Sequence, residues 1–295
     1  MRNASLWTSA LIAILTSLPT QSAWGLGDET IGNEPLNEAN YTEWKGIMPV
    51  INDKARVYSN WVNGNEHFFY KGTTAELNAA LAHFAKIEVK QHEVLLRPAP
   101  GLAHTFERKE VPYNWELHVH GGISKHLLTL DKGDEVWNKD PRLTIYVGGE
   151  IDLAKLEIPK GVMLLDIPTL SKRVAAGIAA SKDKTVRGWG CGELTSLDHF
   201  SGDNMMAVAK MLDDSDNWVR LNAAGSLPLF GKKAAPHLPA LRECLVAGDQ
   251  GLKERAQAAI VEIEKAEDKS KEEKEVAEGQ KKIADYLAAM KKAPK

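Results

Sequence analysis

The residues whose types and spacing best suit chemistry lie in the stretch Trp115-Glu116-Leu117-His118-Val119-His120. Alternate residues of a β-strand share a face, so a strand here puts Glu116, His118 and His120 together. Two imidazoles and a carboxylate are ligands that suit zinc or another nitrogen-preferring transition metal. Gly121-Gly122 would leave such a site open, and His104 or His126 can add a ligand. The plainer expectation places Trp115, Leu117 and Val119 on a core and the other three toward water, with no cofactor bound. A metal-dependent enzyme using Glu116, His118 and His120, with zinc as the cofactor considered, is thus the alternative to a chain without catalysis.

Arg187-Gly-Trp-Gly-Cys191-Gly-Glu brings a thiol and an aromatic into a glycine-rich stretch. A cysteine nucleophile needs a depressed pKa and an oriented base. His199 lies near in sequence, but nothing in the sequence orients it, so the expectation is a linker that folds between two domains. The aromatics Trp44, Tyr58, Trp61, Phe68, Phe69 and Tyr70 can line a groove for a glycan or small ligand, a third class of function. A half-buried strand core explains them more simply. There is no phosphate-binding loop, no Gly-x-Ser-x-Gly and no His-Glu-x-x-His.

The elements that must carry these residues follow from periodicity and turn signals. Arg56 to Tyr70 reads as two strands around Asn63-Gly64, a hairpin dipeptide. Thr73 or Thr74 caps a helix from Ala75 to Lys86, with Leu77, Leu81 and Phe84 on one face. Strands are expected at Val94–Leu96, Trp115–His120, Leu143–Val147 and Val162–Leu165, and an Ala-rich helix at Ser171–Ala180. That order suggests one α+β domain over residues 41–185, followed by a linker at 186–202.

The C-terminal third repeats itself at a step of 33 residues. Asp216, Val219, Arg220, Ala223, Leu227 and Phe230 correspond to Asp249, Leu252, Lys253, Ala256, Ile260 and Ile263. Upstream, Met205, Val208, Met211 and Leu212 precede Leu238, Leu241, Cys244 and Leu245 by the same step. The apolar members fall at helical spacing, which predicts stacked helix pairs. Asp216 and Asp249 are placed to cap first turns, Gly231 to end a helix, and Pro236 and Pro239 to start the next. The expected repeat core is Val219, Ala223, Leu227, Leu238, Leu241, Leu252, Ala256 and Ile260.

The string from Asp216 to Leu227, with Val219-Arg220 and Ala223-Ala224, followed by Gly231, Ala234-Ala235 and Leu238-Pro239-x-Leu241, resembles the HEAT repeat. It is closest to the short HEAT-like form of bacterial proteins, over roughly residues 203–265. The second copy departs, with Lys253 for Arg and Gln257 for the second Ala. The resemblance implies stacked helix pairs and contact with a protein partner that it does not identify. The fold class expected is therefore an α+β N-terminal domain followed by an α-helical HEAT-like repeat segment.

Residues 266–295 are dense in Lys and Glu, with only a thin stripe of Val276, Ile283, Leu287 and Met290. This is expected to be a charged, frayed helical tail that the fold does not need. At the other end, Arg2, the apolar run Leu6–Leu15 and Ala23-Trp24-Gly25 form the pattern of a cleavable signal peptide over residues 1–25. The apolar run is too short for a bilayer, which takes about 20 residues. Cleavage within residues 24–27 is expected, then a flexible leader over 26–40, a mature chain with no transmembrane segment, and a periplasmic or extracellular location. Export permits a disulfide between Cys191 and Cys244, the only cysteines in the chain; two buried thiols is the other reading. The net charge of −3, with both signs mixed throughout, offers no field for nucleic acid.

Overall fold

The computed structural model describes residues 58–62, 65–70, 72–86, 92–98, 115–120, 142–147 and 151–292. The expected signal peptide and leader, Trp44, His104 and His126 lie outside the described residues.

Six strands form one sheet: β1 (Tyr58–Val62), β2 (Asn65–Tyr70), β3 (His92–Pro98), β4 (Trp115–His120), β5 (Arg142–Val147) and β6 (Val162–Asp166), in the order β1-β2-β4-β5-β3-β6. β1 and β2 pair antiparallel, with Val62 opposite Asn65. β4 runs antiparallel to both β2 and β5, whereas β3 is parallel to both of its neighbours, β5 and β6.

Strand alternation gives the sheet two buried faces. Val94, Leu96, Leu143 and Ile145 pack with Leu77, Leu81 and Phe84 of α1 (Thr74–Phe84). The capping box that starts α1 is complete: the Thr73 hydroxyl accepts from the Glu76 backbone N–H, and the Glu76 carboxylate accepts from that of Thr73. On the opposite face, Leu95 and Leu165 join Ile167, Leu170, Val174 and Ile178 of α2 (Ile167–Ala180) in a core that continues to Ile263. Asp166 caps α2 by accepting from Thr169, so this helix begins four residues before the Ala-rich stretch.

The expected linker at 186–202 is not one. Residues Lys184–Leu197 form helix α3, capped by Asp183 and with Val186, Cys191, Leu194 and Leu197 buried. Its glycines serve close approach. A Cβ at Gly188 would lie 2.2 Å from the Trp218 ring, and one at Gly190 would lie 2.2 Å from Ile178. The region expected to separate two domains therefore sits inside one continuous core.

Helices α4 (Gly202–Lys210), α5 (Asn217–Ser226), α6 (Leu238–Ala247) and α7 (Gln250–Lys265) follow, with a 3₁₀ run at Leu227–His237. Asp183, Asp216 and Asp249 each accept a backbone N–H at the start of α3, α5 and α7, and they are spaced 33 residues apart. At the same step Val186, Val219 and Leu252 are buried, as are Leu194, Leu227 and Ile260, and Leu197, Phe230 and Ile263. α3 packs on α5 and α5 on α7. Ala223 and Ala256 are fully buried at these contacts. Gly231 has φ +62°, the left-handed turn that ends the first half of the 3₁₀ run, and Pro239 sits in the first turn of α6. Of the expected repeat core, Leu238 alone is only half-buried. Leu227 has no exposed surface, so Leu227→Ala is expected to cost about 2–5 kcal/mol, measured by urea unfolding. A loss below about 0.5 kcal/mol would mean the stripe is not core.

The charged tail is also not frayed. It forms helix α8 (Ser270–Lys292), which returns to pack on β3 and β6. Val276 and Ile283 are buried, and Tyr286 and Leu287 pack half-buried against the core beneath α1. A Cβ at Gly279 would lie 2.6 Å from Pro98, so glycine is what lets the helix sit this close. Met290 is exposed, so the stripe is buried only along its first part.

Candidate functional site

Glu116, His118 and His120 lie on β4, as expected, at alternate positions and hence on one face of the strand. Their register is set from both sides. Across to β2, Glu116 stands opposite Phe69, His118 opposite His67, and His120 opposite Asn65. Across to β5, Glu116 stands opposite Thr144 and His118 opposite Arg142. Thr144 is buried, on the sheet face that Leu95 shares beneath the helices. Among the described residues, no group of three or more His, Cys, Asp or Glu side chains gathers as a metal requires. The side chains of β1, β2 and β4 are not among those described, so the aromatics of the hairpin are placed by strand and register alone.

The cysteines are inert where they stand. Both are buried and free, so the disulfide expected as one reading of Cys191 and Cys244 is not made. The Cys191 Sγ donates to the Arg187 carbonyl at 3.5 Å, and burial, aided by the charge of Asp214, pushes its pKa up to about 12. A thiol at that value holds almost no thiolate at neutral pH and is no nucleophile. His199 is buried and packs against Phe200, with ring centroids 4.0 Å apart and the planes tilted by 46°.

Several buried or part-buried charges among the described residues make hydrogen bonds that join elements. Glu93 on β3 is 1% exposed and receives two hydrogen bonds from Arg173 of α2, at 2.6 and 2.8 Å. Arg97, four residues along β3, donates to the Ser196 and Leu197 carbonyls at the end of α3. Arg187 donates to both oxygens of Asp214, at 2.6 and 3.0 Å, and to the Ser181 carbonyl. The guanidinium holds the Asp214 carboxyl below the usual carboxylate range. That stabilisation is complete above the unfolded pKa, about 4, and is lost as pH falls through the lower folded value.

One cleft of about 340 Å³ opens where the starts of α2 and α4 meet α8. Several of its polar groups are spent on the fold. Asp198 accepts from the Phe200 N–H and from Gln280 of α8. Asn204 donates to the Ser171 hydroxyl and to the carbonyls of Leu194 and Asp198. Lys233 bridges the Phe200 carbonyl and Glu273. Sequence reasoning missed this cleft because it exists only when α8 returns. The one readable hint was the stripe through Val276.

The helical segment also leaves apolar side chains in water. Val246, at the end of α6, is 83% exposed, and Met206, Leu229 and Val261 are exposed too. On α6 only Leu241 and Cys244 are buried. No described helix is long and apolar enough to cross a membrane. No family model, no curated protein and no solved structure matches this chain.

Proposed function

We propose that the mature chain is an exported, non-catalytic module in a periplasmic or extracellular space, whose short HEAT-like array mediates protein–protein contact or envelope structure. The observation that carries this reading is the 33-residue step, which reaches back to α3 and gives three capped, stacked helices at α3, α5 and α7. An array needs about three repeats to bury its faces, and α3 supplies the first. The resemblance at Val219-Arg220 and Ala223-Ala224 extends to Val186-Arg187, where Gly190 and Cys191 replace the alanines. The outer helix α6 keeps Val246 in water, where an apolar side chain gains by meeting a partner.

The test compares the untagged mature protein with its Val246→Glu variant in crosslinking to its own envelope fraction. The expected result is a protein species captured by the parent chain and lost from the variant, with both melting at the same temperature. Identical captures, or none, would remove α6 as a docking helix.

A further inference from the structure

The cleft of about 340 Å³ between α2, α4 and α8 keeps polar groups that the fold does not use. Asn204 of α4 is 2% exposed, and its three side-chain hydrogen bonds all leave from the amide nitrogen, to the Ser171 hydroxyl and the carbonyls of Leu194 and Asp198. Its side-chain carbonyl oxygen is left to accept, and it is not sealed from solvent. Ser171 of α2 is buried as well. Its hydroxyl oxygen takes the Asn204 bond at 3.1 Å, which leaves the hydroxyl proton to donate. Buried polar groups ordinarily find partners, so a spare acceptor beside a spare donor suits a ligand that supplies both.

The neighbouring residue on each helix continues the pattern. Lys172 follows Ser171 on α2, Asp203 precedes Asn204 on α4, and both line the cleft. Among the described residues, neither charge has a hydrogen-bond or ion-pair partner. The other two carboxylates of the lining are engaged, Asp198 with the Phe200 N–H and Gln280, and Glu273 with Lys233. The α2 side therefore offers donors and a cation, and the α4 side offers acceptors and an anion. Apolar side chains line the cleft too, Ile167 and Ala175 from α2, Val276 and Ala277 from α8. The volume lies at the small end of ligand pockets, which run from about 300 to 1,000 Å³.

We propose that this cleft binds a free amino acid with an apolar side chain, its carboxylate on Lys172 and the Ser171 hydroxyl, its ammonium on Asp203 and the Asn204 carbonyl. Charge-assisted hydrogen bonds at both ends give strength and fix the orientation. The site is separate from partner docking through α6, and either reading can fail alone.

The experiment titrates the untagged protein with L-leucine by calorimetry, beside leucinamide, which lacks the anion, and 4-methylpentanoate, which lacks the cation. Leucine is expected to bind one per chain, to raise the melting temperature, and to bind about tenfold or more tighter than either analogue. Lys172→Met should erase the preference for leucine over leucinamide. Asp203→Asn should erase the preference over 4-methylpentanoate. Ala277→Phe, at an exposed position of α8, should fill the cleft and abolish binding, with the melting temperature of the free protein unchanged. No saturable binding by about 10 mM leucine would overturn the proposal. So would a Lys172→Met chain that keeps the parent's preference over leucinamide, an Asp203→Asn chain that keeps the preference over 4-methylpentanoate, or a folded Ala277→Phe chain that binds leucine as the parent does.

Discussion

Removal of residues 266–295 is expected to destabilise the protein by on the order of 5 kcal/mol, the largest effect of any change considered. The lost helix α8 buries Val276 and Ile283, and it covers the sheet core with Tyr286 and Leu287 half-buried. Each fully buried large apolar side chain contributes about 1.5–3 kcal/mol. Truncation would also bare Leu96 and its neighbours, which pack in the same cluster as Ile283. Against a typical total of about 5–15 kcal/mol, such a loss leaves a chain near its unfolding threshold. Urea melts of the full and truncated chains decide the matter. Ile283→Ala alone should reproduce about 2–5 kcal/mol of the loss. Equal midpoints for the full and truncated chains would show that α8 rests on the sheet without stabilising it.

Arg173→Met should cost about 3–5 kcal/mol, because it leaves the Glu93 carboxylate buried at 1% exposure without its partner. A double substitution, Glu93→Leu with Arg173→Met, should recover much of that loss, since an apolar pair needs no desolvated charge. The pH dependence gives a second check. In Arg173→Met the unpaired carboxyl prefers its neutral form, which raises its folded pKa above the unfolded value near 4.3. The penalty is then full at neutral pH and is relieved as pH falls through that raised pKa. The variant should therefore gain stability relative to the parent on mild acidification, as read by urea midpoints at several pH values. A variant whose deficit is the same at every pH would show that Glu93 does not carry the charge.

Local signals in the sequence were reliable where the chemistry is local. The Thr73 capping box, and Asp216 and Asp249, all act through residues a few positions away, and each does in the structure what its type suggests. The stretch Gly188-Trp-Gly-Cys-Gly192 misled because glycine lowers helix propensity by about 1 kcal/mol each against alanine. Here packing overrides propensity: the glycines admit Trp218 and Ile178 at distances no Cβ would allow. The 33-residue step from Asp183 to Asp216 was present in the sequence, hidden by those glycines. The His67–His118 juxtaposition was not readable at all. It depends on β4 pairing with β2 while β3, which lies between them in sequence, joins the sheet elsewhere. Likewise a stripe as thin as Val276 and Ile283 cannot say what it meets, and α8 finds its sheet only through contacts remote in sequence.

The contact between Gly279 and Pro98 has a consequence for the timing of folding. A ribosome makes the chain from one end, and β3 emerges long before the helix that covers it. Until α8 is made, Leu96 and its neighbours lack the cover it gives them, and the sheet core stays incomplete. Folds dominated by such distant contacts acquire order slowly, because the intervening loop must close before any contact repays it. A nascent chain of this kind stays loose until α8 has emerged. That delay exposes unpaired strands to holding chaperones and to proteases.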